Sequence, residues 1–397
     1  MRIGIAGAGI GGLAVATLLA RDGHKVVVFD QFETPQPVGS GLMLQETGLT
    51  ILGRLNLRDE MERLGAPINR LYGLSAPSGR AVLDVRYSAL RSSLKGLGVQ
   101  RGALFNLLYR TARDAGVEIE AGTEIITAQA MIGSLVDSGG KTHGPFDLIV
   151  DALGVRSPLA DSAHNDLPYG ALWATLPWPV GDVFNGGALE QRYRAARQMT
   201  GVMPSGRANT SAPEMATYFW SLKVSDEAAW RDAPLQHWKD EAIALWPETA
   251  GLLTHIHRHE DLTFARYRHR TYWPCVEGRL VHLGDSWHAA SPQLGQGANN
   301  ALLDAYALAE GLRRAGNDVA EALSLYAKMR AGHVRLFQMM SFLFTPVYQS
   351  DSHILPWFRD WLAAPASRIW PGPQILAGMV SGAVGWPLAK LGLKRGA

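Results

Sequence analysis

The first 30 residues alternate apolar runs, glycines and a helix-like segment in an order that predicts a βαβ unit. Arg2–Ala6 and Lys25–Asp30 are β-rich runs, and Leu13–Asp22 between them has helical character. The turn before that helix reads Gly-Ala-Gly-Ile-Gly-Gly over residues 7–12, which matches the pattern G-x-G-x-x-G. A strand, this glycine pattern and a helix in that order are typical of a dinucleotide-binding unit.

Each glycine at a fixed position of this pattern has a separate physical role. Gly7 permits the tight turn, Gly9 lets the backbone approach a pyrophosphate, and Gly12 lets helix and strand pack closely. Asp30 follows Gly12 by 18 residues, close to the spacing of about 20 at which an acid binds a ribose hydroxyl. The motif alone does not separate FAD from NAD.

The pattern from residue 31 to residue 164 predicts a mixture of strands and helices. A second glycine-bearing loop covers Pro37–Leu44 and includes Gly41, a candidate cofactor contact. An insertion here is more typical of FAD-binding folds than of NAD dehydrogenases. Alternation over Tyr72–Tyr87 predicts a hairpin, and Ala103–Ala115 predicts an amphipathic helix. Arg101 precedes that helix, where it either holds a phosphate or ribityl oxygen or is an ordinary surface arginine.

Residues 165–275 change to aromatic-rich, alternating runs that predict an antiparallel sheet. The nucleotide-binding pattern resumes at Arg279, so this segment interrupts it. We predict an α/β protein with a discontinuous Rossmann-like domain over 1–164 and 276–345. An inserted antiparallel β-sheet domain for a substrate covers 165–275, and a helical tail covers 346–397.

The tail combines four tryptophans with repeated prolines and an apolar stretch that ends in basic residues. One interpretation is a contact with a membrane surface or a partner. The other is a set of helices that close over the substrate sheet or form a homodimer interface. The second is favoured because Pro371, Pro373 and Pro387 break any long helix.

Composition narrows the class of protein. The 397 residues carry 38 Lys and Arg against 36 Asp and Glu, a net charge of +2, which disfavours nucleic acid as the main partner. The single cysteine, Cys275, fits a reducing compartment. No uninterrupted apolar run of about 20 residues occurs, so the sequence predicts a soluble, cytoplasmic protein. His255, His257 and His259 have spacing that permits a metal, but Arg258 lies among them and no metal is predicted.

A loop rich in glycine lies far from the N-terminus, at residues 284–299. The strand-like run Arg279–Leu283 leads into it, and the helix-like run Asn300–Glu310 leads out. Glycine lets main-chain N–H groups approach a ligand without a Cβ in the way, and a helix start directs positive charge at that ligand. The pattern therefore predicts contact with a flat or anionic group.

Three motifs in this order, Gly7-x-Gly9-x-x-Gly12, Leu153-Gly154-x-x-Ser157 and Gly284-Asp285, resemble those of the class A flavin-dependent monooxygenases, such as the 4-hydroxybenzoate and ubiquinone-biosynthesis hydroxylases. The resemblance covers about residues 1–345. It implies non-covalent FAD, reduction by NADH or NADPH, and a flavin C4a-hydroperoxide. That species would hydroxylate or epoxidise an aromatic or otherwise electron-rich small molecule with one atom of O₂.

The resemblance also implies roles for individual residues. The glycines at 7, 9 and 12 hold the pyrophosphate, Asp30 the ribose, Arg101 the flavin side, and Asp285 the ribityl chain. Pro292 and Gly295 form the backbone environment in which oxygen reacts, without an obligatory side-chain base. The main-chain N–H groups that face the flavin's pyrimidine edge belong to Gly295, Gln296, Gly297, Ala298 and Asn299.

One motif departs from the family pattern Asp-Gly-x-x-Ser-x-x-Arg. Leu153 stands at its first position and Ala160 at its last, which puts the entry of hydride from NAD(P)H in doubt. Two alternatives therefore stay open: a flavoprotein of the same fold with a non-hydroxylating reaction, of reductase or halogenase type, or a non-enzymatic FAD-containing assembly protein.

The substrate residues are the least specified part of the sequence. His288 is expected to make a structural hydrogen bond rather than act in catalysis. An aromatic-lined site would suit a planar, apolar substrate. The candidates for this lining are Trp173, Met203, Tyr218, Trp220 and Phe342.

Overall fold

The computed structural model describes residues 1–34, 40–76, 78–160, 164–316 and 318–393. The predicted loop Pro37–Leu44 therefore falls partly outside the described residues. The strands are β1 Arg2–Ala6, β2 Lys25–Phe29, β3 Gly41–Leu44, β4 Ala66–Ile68, β5 Arg70–Ser75, β6 Arg80–Arg86, β7 Gly96–Gln100, β8 Glu118–Glu120, β9 Ile125–Gln129, β10 Ser134–Asp137, β11 Thr142–His143, β12 Leu148–Asp151, β13 His164–Pro177, β14 Ala188–Arg194, β15 Gln198–Pro204, β16 Met215–Lys223, β17 Thr263–Arg270, β18 Val276–Glu277 and β19 Leu280–His282.

The helices lie mainly between the first strands and after the last. They are α1 Ile10–Arg21, α2 Glu46–Arg54, α3 Arg58–Leu64, α4 Arg101–Asp114, α5 Glu227–Asp232, α6 Leu235–Leu245, α7 Ala250–Leu253, α8 Asp285–His288, α9 Gly297–Arg314, α10 Val319–Tyr348, α11 Ile354–Phe358, α12 Ala364–Ala366, α13 Gly372–Val380 and α14 Pro387–Lys390.

A six-stranded sheet carries the N-terminal glycine turn. Its order is β18-β19-β12-β1-β2-β8, and all neighbours are parallel except β18 and β19. The central strands read as short apolar runs because both faces of the sheet are covered. Helix α1 packs against β2, α4 and α9. The βαβ unit predicted from the first 30 residues is present.

A seven-stranded sheet, in the order β17-β13-β16-β15-β14-β5-β6, forms the second layer. All its neighbouring strands are antiparallel except β14 and β5. The predicted hairpin over Tyr72–Tyr87 is present as β5 and β6. Because these two strands lie before residue 164, the sheet extends beyond the predicted range 165–275. The three-part division of the chain itself stays a prediction.

The two faces of this sheet are buried differently. One face packs with the helices of residues 227–253 in an aromatic cluster that includes Trp220, Trp238 and Trp246. The other face, which includes Met203 and Phe219, packs toward the tail helices. Alternate residues of each strand therefore belong to separate cores, as the two-residue period of a strand requires.

The C-terminal helices complete the molecule. Helix α10 spans 30 residues and contacts α9, while α13 contacts β6. The tail thus closes over the sheet, as one interpretation of the sequence predicted. No helix in the described part of the chain is long and apolar enough to span a membrane.

Candidate active site

The glycine turn between β1 and α1 owes its shape to close backbone packing. Gly7 has a φ of +103°, and its N–H donates to the Phe29 carbonyl oxygen at 2.8 Å. A Cβ at Gly7 would lie 2.5 Å from the Ala152 carbonyl oxygen, and one at Gly12 would overlap the carbonyl oxygen of Gly7. A Cβ at Gly9 would meet nothing within 4 Å. Gly9 is therefore the glycine that faces open space, as expected where a ligand approaches the backbone.

Asp30 stabilises the same turn from the end of β2. Its carboxylate accepts the Ala8 N–H at 2.9 Å and the Phe32 N–H at 3.0 Å. The side chain is half-buried and holds two loop segments together. Its predicted ribose contact stays a prediction.

The 284–299 loop meets this turn across the edge of the parallel sheet. Gly284 and Gly295 have φ values of +64° and +62°, a region that favours glycine. Between them lie the short helix α8 and a turn at Pro292–Leu294. Helix α9 begins at Gly297, three residues before the helix start predicted from sequence. Its first N–H groups lack acceptors within the helix and are available to a ligand.

Two buried amides fix the position of this loop. The Asn299 side-chain amide donates to the carbonyl oxygens of Met43 and Gly295 at 3.1 Å each, and its oxygen accepts the Gln45 N–H at 2.8 Å. The Gln296 amide donates to the Val380 carbonyl oxygen of α13 at 2.6 Å. Both side chains therefore position the loop, which leaves its main chain to meet a ligand.

A buried charge cluster lies behind the loop. Asp304 of α9 accepts from the Gly284 N–H at 2.9 Å, pairs with His288 at 2.6 Å and pairs with Arg330 of α10 at 2.5 Å. Burial alone would raise the pKa of Asp304, but His288 and Arg330 outweigh it and lower that pKa to about 2. Burial, together with Arg330, holds the pKa of His333 well below its usual value. The hydrogen bond predicted for His288 is thus present.

Sequence reasoning missed Asp304 and Arg330. An acid within the otherwise apolar helix run Asn300–Glu310 was the available signal, since a buried charge normally requires a partner. The partner itself lies 26 residues away on another helix.

Arg101 supplies a test of whether FAD fits this site. It is the first residue of α4, and its Nε is buried without a hydrogen-bond partner in the part of the chain that the structure describes. Burial lowers the pKa of this guanidinium, and Asp285 opposes the shift. A buried donor without an acceptor costs free energy unless a ligand supplies one. Together with open Gly9 and the α9 N-terminus, these residues fit an anionic, polar cofactor such as FAD.

A cavity of about 440 Å³ adjoins Arg101 and the start of α9. Arg101, Asp285 and residues 288–298 of the loop line one side of it. The seven-stranded sheet, α10 and α13 supply the rest, which is mainly apolar and aromatic. Among the residues that line it are Gly41, Leu71, Trp173, Leu189, Met203, Phe219, Tyr267, Phe337, Ser341, Tyr348, Leu376 and Met379.

Only part of the predicted substrate set lies at this cavity. Trp173 and Met203 line it. Tyr218 and Trp220 lie on the opposite face of β16, buried against the helices of residues 227–253, and Phe219 between them faces the cavity. Phe342 is 69% exposed on the outer side of α10. A contact of Tyr218, Trp220 or Phe342 with a substrate in this cavity is therefore a wrong prediction.

Polar groups in the cavity come from several elements. Trp173 donates through Nε1 to the Tyr267 hydroxyl at 3.2 Å, and burial raises the pKa of Tyr267. Tyr193 donates to the Gln191 side-chain oxygen at 2.9 Å. Gln338 of α10 also lines the cavity. No local sequence signal marks these residues, because strands and a helix far apart in the chain bring them together.

The segment of residues 153–160, whose sequence departs from the family motif, is held in place by side chains from outside that segment. Asp151 accepts from Ser157 at 2.6 Å and pairs with His282 at 2.7 Å. The Arg270 guanidinium donates to the carbonyl oxygens of Val155, Ser157 and Ala160 at 2.8–3.3 Å. An arginine from β17 thus binds the segment whose own last position is alanine.

Within the described ranges, the structure contains no group of three His, Cys, Asp or Glu side chains that could hold a metal ion. The histidines at 255, 257 and 259 form no such group.

Comparison with known proteins places this geometry in a family. The model of the FAD binding domain family matches residues 1–339. A probable 2-heptyl-3-hydroxy-4(1H)-quinolone synthase of Rhodococcus erythropolis is 24% identical over 374 residues, which covers 92% of this chain and 91% of the relative. The 6-hydroxynicotinate 3-monooxygenase of Bordetella bronchiseptica is 25% identical, with coverage of 86% and 90%.

Solved structures share the fold. The structure of Klebsiella pneumoniae HpxO with FAD and uric acid superposes with a TM-score of 0.79 at 20% identity, covering 97% of this chain and 98% of that one. The tetrameric form of 2-methyl-3-hydroxypyridine-5-carboxylic acid oxygenase gives a TM-score of 0.76 at 19% identity, with coverage of 92% and 97%. With the family match, the open glycine turn and Arg101, these likenesses lead to one conclusion: the chain belongs to the FAD binding domain family and is a class A flavin-dependent monooxygenase.

Proposed function

We propose that the protein uses FAD, NADH or NADPH, and O₂ to insert one oxygen atom into a planar aromatic or otherwise electron-rich small molecule. The main support for the proposal is that the residues that fit FAD and the aromatic residues of the sheet line one continuous cavity. The residues that fit FAD, namely Arg101, Asp285 and the 284–299 loop, line the same cavity as Trp173 and Phe219 of the sheet. A cofactor there adjoins a substrate held by aromatic side chains.

Particular residues would hold the cofactor. The Gly9 backbone would meet the pyrophosphate, Asp30 the ribose, and Asp285 with Arg101 the ribityl chain and flavin side. The first N–H groups of α9 would stabilise negative charge on the flavin's pyrimidine edge. When bound, FAD supplies two-electron redox chemistry and activation of O₂.

The chain's own groups would orient the substrate and exclude water. Trp173 and Phe219, whose ring centroids are 4.9 Å apart, offer faces and edges to a planar ring. Tyr267 and Gln338 offer hydrogen bonds at the cavity wall. Apolar side chains from the sheet and α13 surround the remaining volume, which suits a ring that carries an apolar substituent.

The names of the relatives indicate which compounds to test as substrates. One is named as the synthase of an alkyl hydroxyquinolone, one as a monooxygenase of a hydroxynicotinate, and one is solved with uric acid; all three compounds are nitrogen heterocycles. We extend this chemistry to the present chain and expect a nitrogen-containing aromatic with an oxygen substituent, because such a ring is electron-rich at the carbon beside that substituent.

The test starts from purified holoprotein with oxygen isotope-labelled O₂. Consumption of NADH or NADPH is followed across hydroxypyridines, quinolones, phenols and purines, and products are analysed by mass spectrometry. One labelled oxygen atom in a product supports the proposal. Colourless protein that takes up no FAD, or coenzyme oxidation that yields only hydrogen peroxide with every compound, contradicts it.

A further inference from the structure

The C-terminal half of α10 is apolar on both its inner and outer sides. Residues 336–350 contain no charged residue. Phe337 and Met340 are buried on the inner side, whereas Met339, Phe342 and Leu343 are 54%, 69% and 58% exposed on the outer side. A helix with large apolar side chains on two sides requires an apolar neighbour on each of them.

The tail helices extend this exposed surface. Helices α10 and α13 share an apolar cluster that contains Phe337 and Met379, and Ile375 of α13 is 54% exposed. Trp386 is 72% exposed, and a Cβ on its neighbour Gly385 would lie 3.3 Å from Leu336 of α10. We call Met339, Phe342, Leu343, Ile375 and Trp386 the apolar face.

The segments around this face expose further large apolar side chains. Monomeric proteins rarely leave large apolar patches in water. The additional exposed residues are Ile354, Trp357, Phe358, Trp361, Leu362, Ile369 and Trp370.

The charged residues around the apolar face are mainly basic. Between residues 331 and 393 the only acids are Asp351 and Asp360. Asp351 pairs with Lys223 at 2.7 Å, and Asp360 pairs with Arg359 at 2.7 Å. Arg335, Arg368 and Lys390 are exposed.

The basic side chains adjoin the face on α10. The Lys390 Nζ would lie 3.2 Å from a Cβ on Gly332, on the turn that precedes Met339 and includes Arg335. Exposed cations therefore border exposed apolar side chains, while the acids of the segment are already paired.

We propose that the apolar face docks on an anionic phospholipid surface. Tryptophan side chains prefer the boundary between lipid and water, and apolar insertion with flanking Lys and Arg is the mode of peripheral membrane binding. A second copy of this chain fits less well, because a two-fold contact would bring like-charged borders together. Docking also brings the cavity near the lipid, since Phe337, Ser341 and Leu376 line the cavity from the same helices.

The experiment is sedimentation of the FAD-loaded protein with two kinds of vesicle. One contains phosphatidylcholine alone, and the other contains phosphatidylcholine with phosphatidylglycerol. Binding is expected to be stronger to the second. Combined Met339→Ser, Phe342→Ser and Leu343→Ser should weaken binding by about tenfold or more, since burial of one large apolar side chain is worth at least that factor.

The matched control is Met131→Ser with Ile132→Ser, at a turn where the two side chains are 77% and 61% exposed. It should bind like the unmodified protein. Arg335→Glu with Lys390→Glu should weaken binding to the anionic vesicles and is a second route if the triple variant folds poorly. Retained FAD and an unchanged unfolding temperature identify folded variants.

Three outcomes overturn the proposal. The first is an absence of binding to either vesicle, and the second is equal binding by the variants and the control. The third is a concentration-dependent dimer that the triple substitution dissociates without any vesicle binding, which assigns the face to a second copy. Measurement of mass by light scattering separates this last case. None of these outcomes depends on monooxygenase activity, so they are distinct from failure of the proposed function.

Discussion

Arg101 and Asp304 are charged residues in opposite situations. Asp304 has a countercharge, Arg330, and a hydrogen-bond partner, His288, within the protein. Arg101 has a buried Nε with no acceptor in the described ranges and Asp285 as a nearby charge. The first arrangement stabilises the loop, and the second leaves binding capacity for a ligand. Substitutions should therefore separate folding from cofactor binding.

Arg101→Met is expected to weaken FAD binding by about 10- to 100-fold, because a hydrogen bond to a charged group contributes about 1.5–3 kcal/mol. The apoprotein should keep its stability, since no protein acceptor is lost from Nε. Fluorescence titration of apoprotein with FAD measures the change. Arg110→Gln on the same helix is the control, because Arg110 pairs with Glu60 on the surface. Equal losses from both substitutions would refute the role of Arg101.

Asp304→Asn should lower the free energy of unfolding by about 3–5 kcal/mol at neutral pH, because it leaves Arg330 buried without its countercharge. Glu310→Gln on the same helix should cost less than about 1 kcal/mol, since that acid pairs at the surface. Urea unfolding compares the two variants. Similar losses would show that the cluster contributes no more than a surface ion pair.

The pH dependence of the Asp304 contribution follows from the lowered pKa. The folded value is about 2 and the ordinary value is 3.8, so the contribution is complete above about 4 and is lost as pH falls toward 2. The unmodified protein should therefore lose stability more steeply than Asp304→Asn over this interval. Parallel slopes in acid urea titrations would contradict the assignment.

At the scale of elements, two glycines of the β1–α1 turn have different surroundings. Gly12 has its Cβ position occupied by the Gly7 carbonyl oxygen, whereas the Cβ position of Gly9 is open. Strand β16 makes a comparable division, because Phe219 faces the cavity and Tyr218 faces the helices. In both elements, adjacent positions serve different neighbours.

Gly12→Ala should destabilise the apoprotein by about 1–3 kcal/mol, the usual cost of overpacking. Gly9→Ala should leave the apoprotein stable and weaken FAD binding, because its methyl group enters the space reserved for the ligand. Thermal unfolding without FAD and titration with FAD measure the two effects. Unchanged FAD affinity in Gly9→Ala would place the pyrophosphate elsewhere.

Phe219→Leu should raise KM for the aromatic substrate by about two- to tenfold, since an aromatic pair is worth about 0.5–1.5 kcal/mol beyond its buried area. Tyr218→Phe keeps a ring on the opposite face and should leave KM unchanged. Steady-state kinetics with a substrate from the panel compares them. A larger effect from Tyr218→Phe would mean that the other face of the sheet binds substrate.

At the scale of the whole molecule, one cavity is built from distant parts of the chain. Arg101 and the 284–299 loop supply one side, the seven-stranded sheet supplies the aromatic wall, and α10 and α13 close it. Arg270 connects β17 to the middle motif at Val155 and Ala160.

Flavin reduction by NADH or NADPH should be slow without substrate and at least about tenfold faster with it, a change of about 1.4 kcal/mol in the barrier. Leu153 and Ala160 in place of the family's Asp and Arg motivate this expectation. Anaerobic stopped-flow absorbance measures the rate. An inert planar compound outside the substrate class is the control, and rapid bleaching by coenzyme alone would refute substrate dependence.

The sequence by itself determined the local parts of this protein. The glycine turn, the β5–β6 hairpin and the 284–299 loop are specified by short-range turn chemistry and by period, so their local conformations were predictable down to Gly7, Gly12 and Gly295. Arg101 was predictable only as one of two alternatives, because a helix-initial arginine looks the same on the surface and at a ligand. The buried Nε argues against an ordinary surface position, and the contact with FAD stays a prediction.

Only the tertiary structure decided which surfaces meet. Two-residue alternation shows that Tyr218 and Trp220 share a face, but it does not show which face borders the cavity. The pairing of Asp304 with Arg330, the use of β5 and β6 in the second sheet, and the apolar outer side of α10 all depend on neighbours distant in the chain. Short-range sequence patterns do not identify such neighbours, because burial and pairing are fixed only when separate elements pack together.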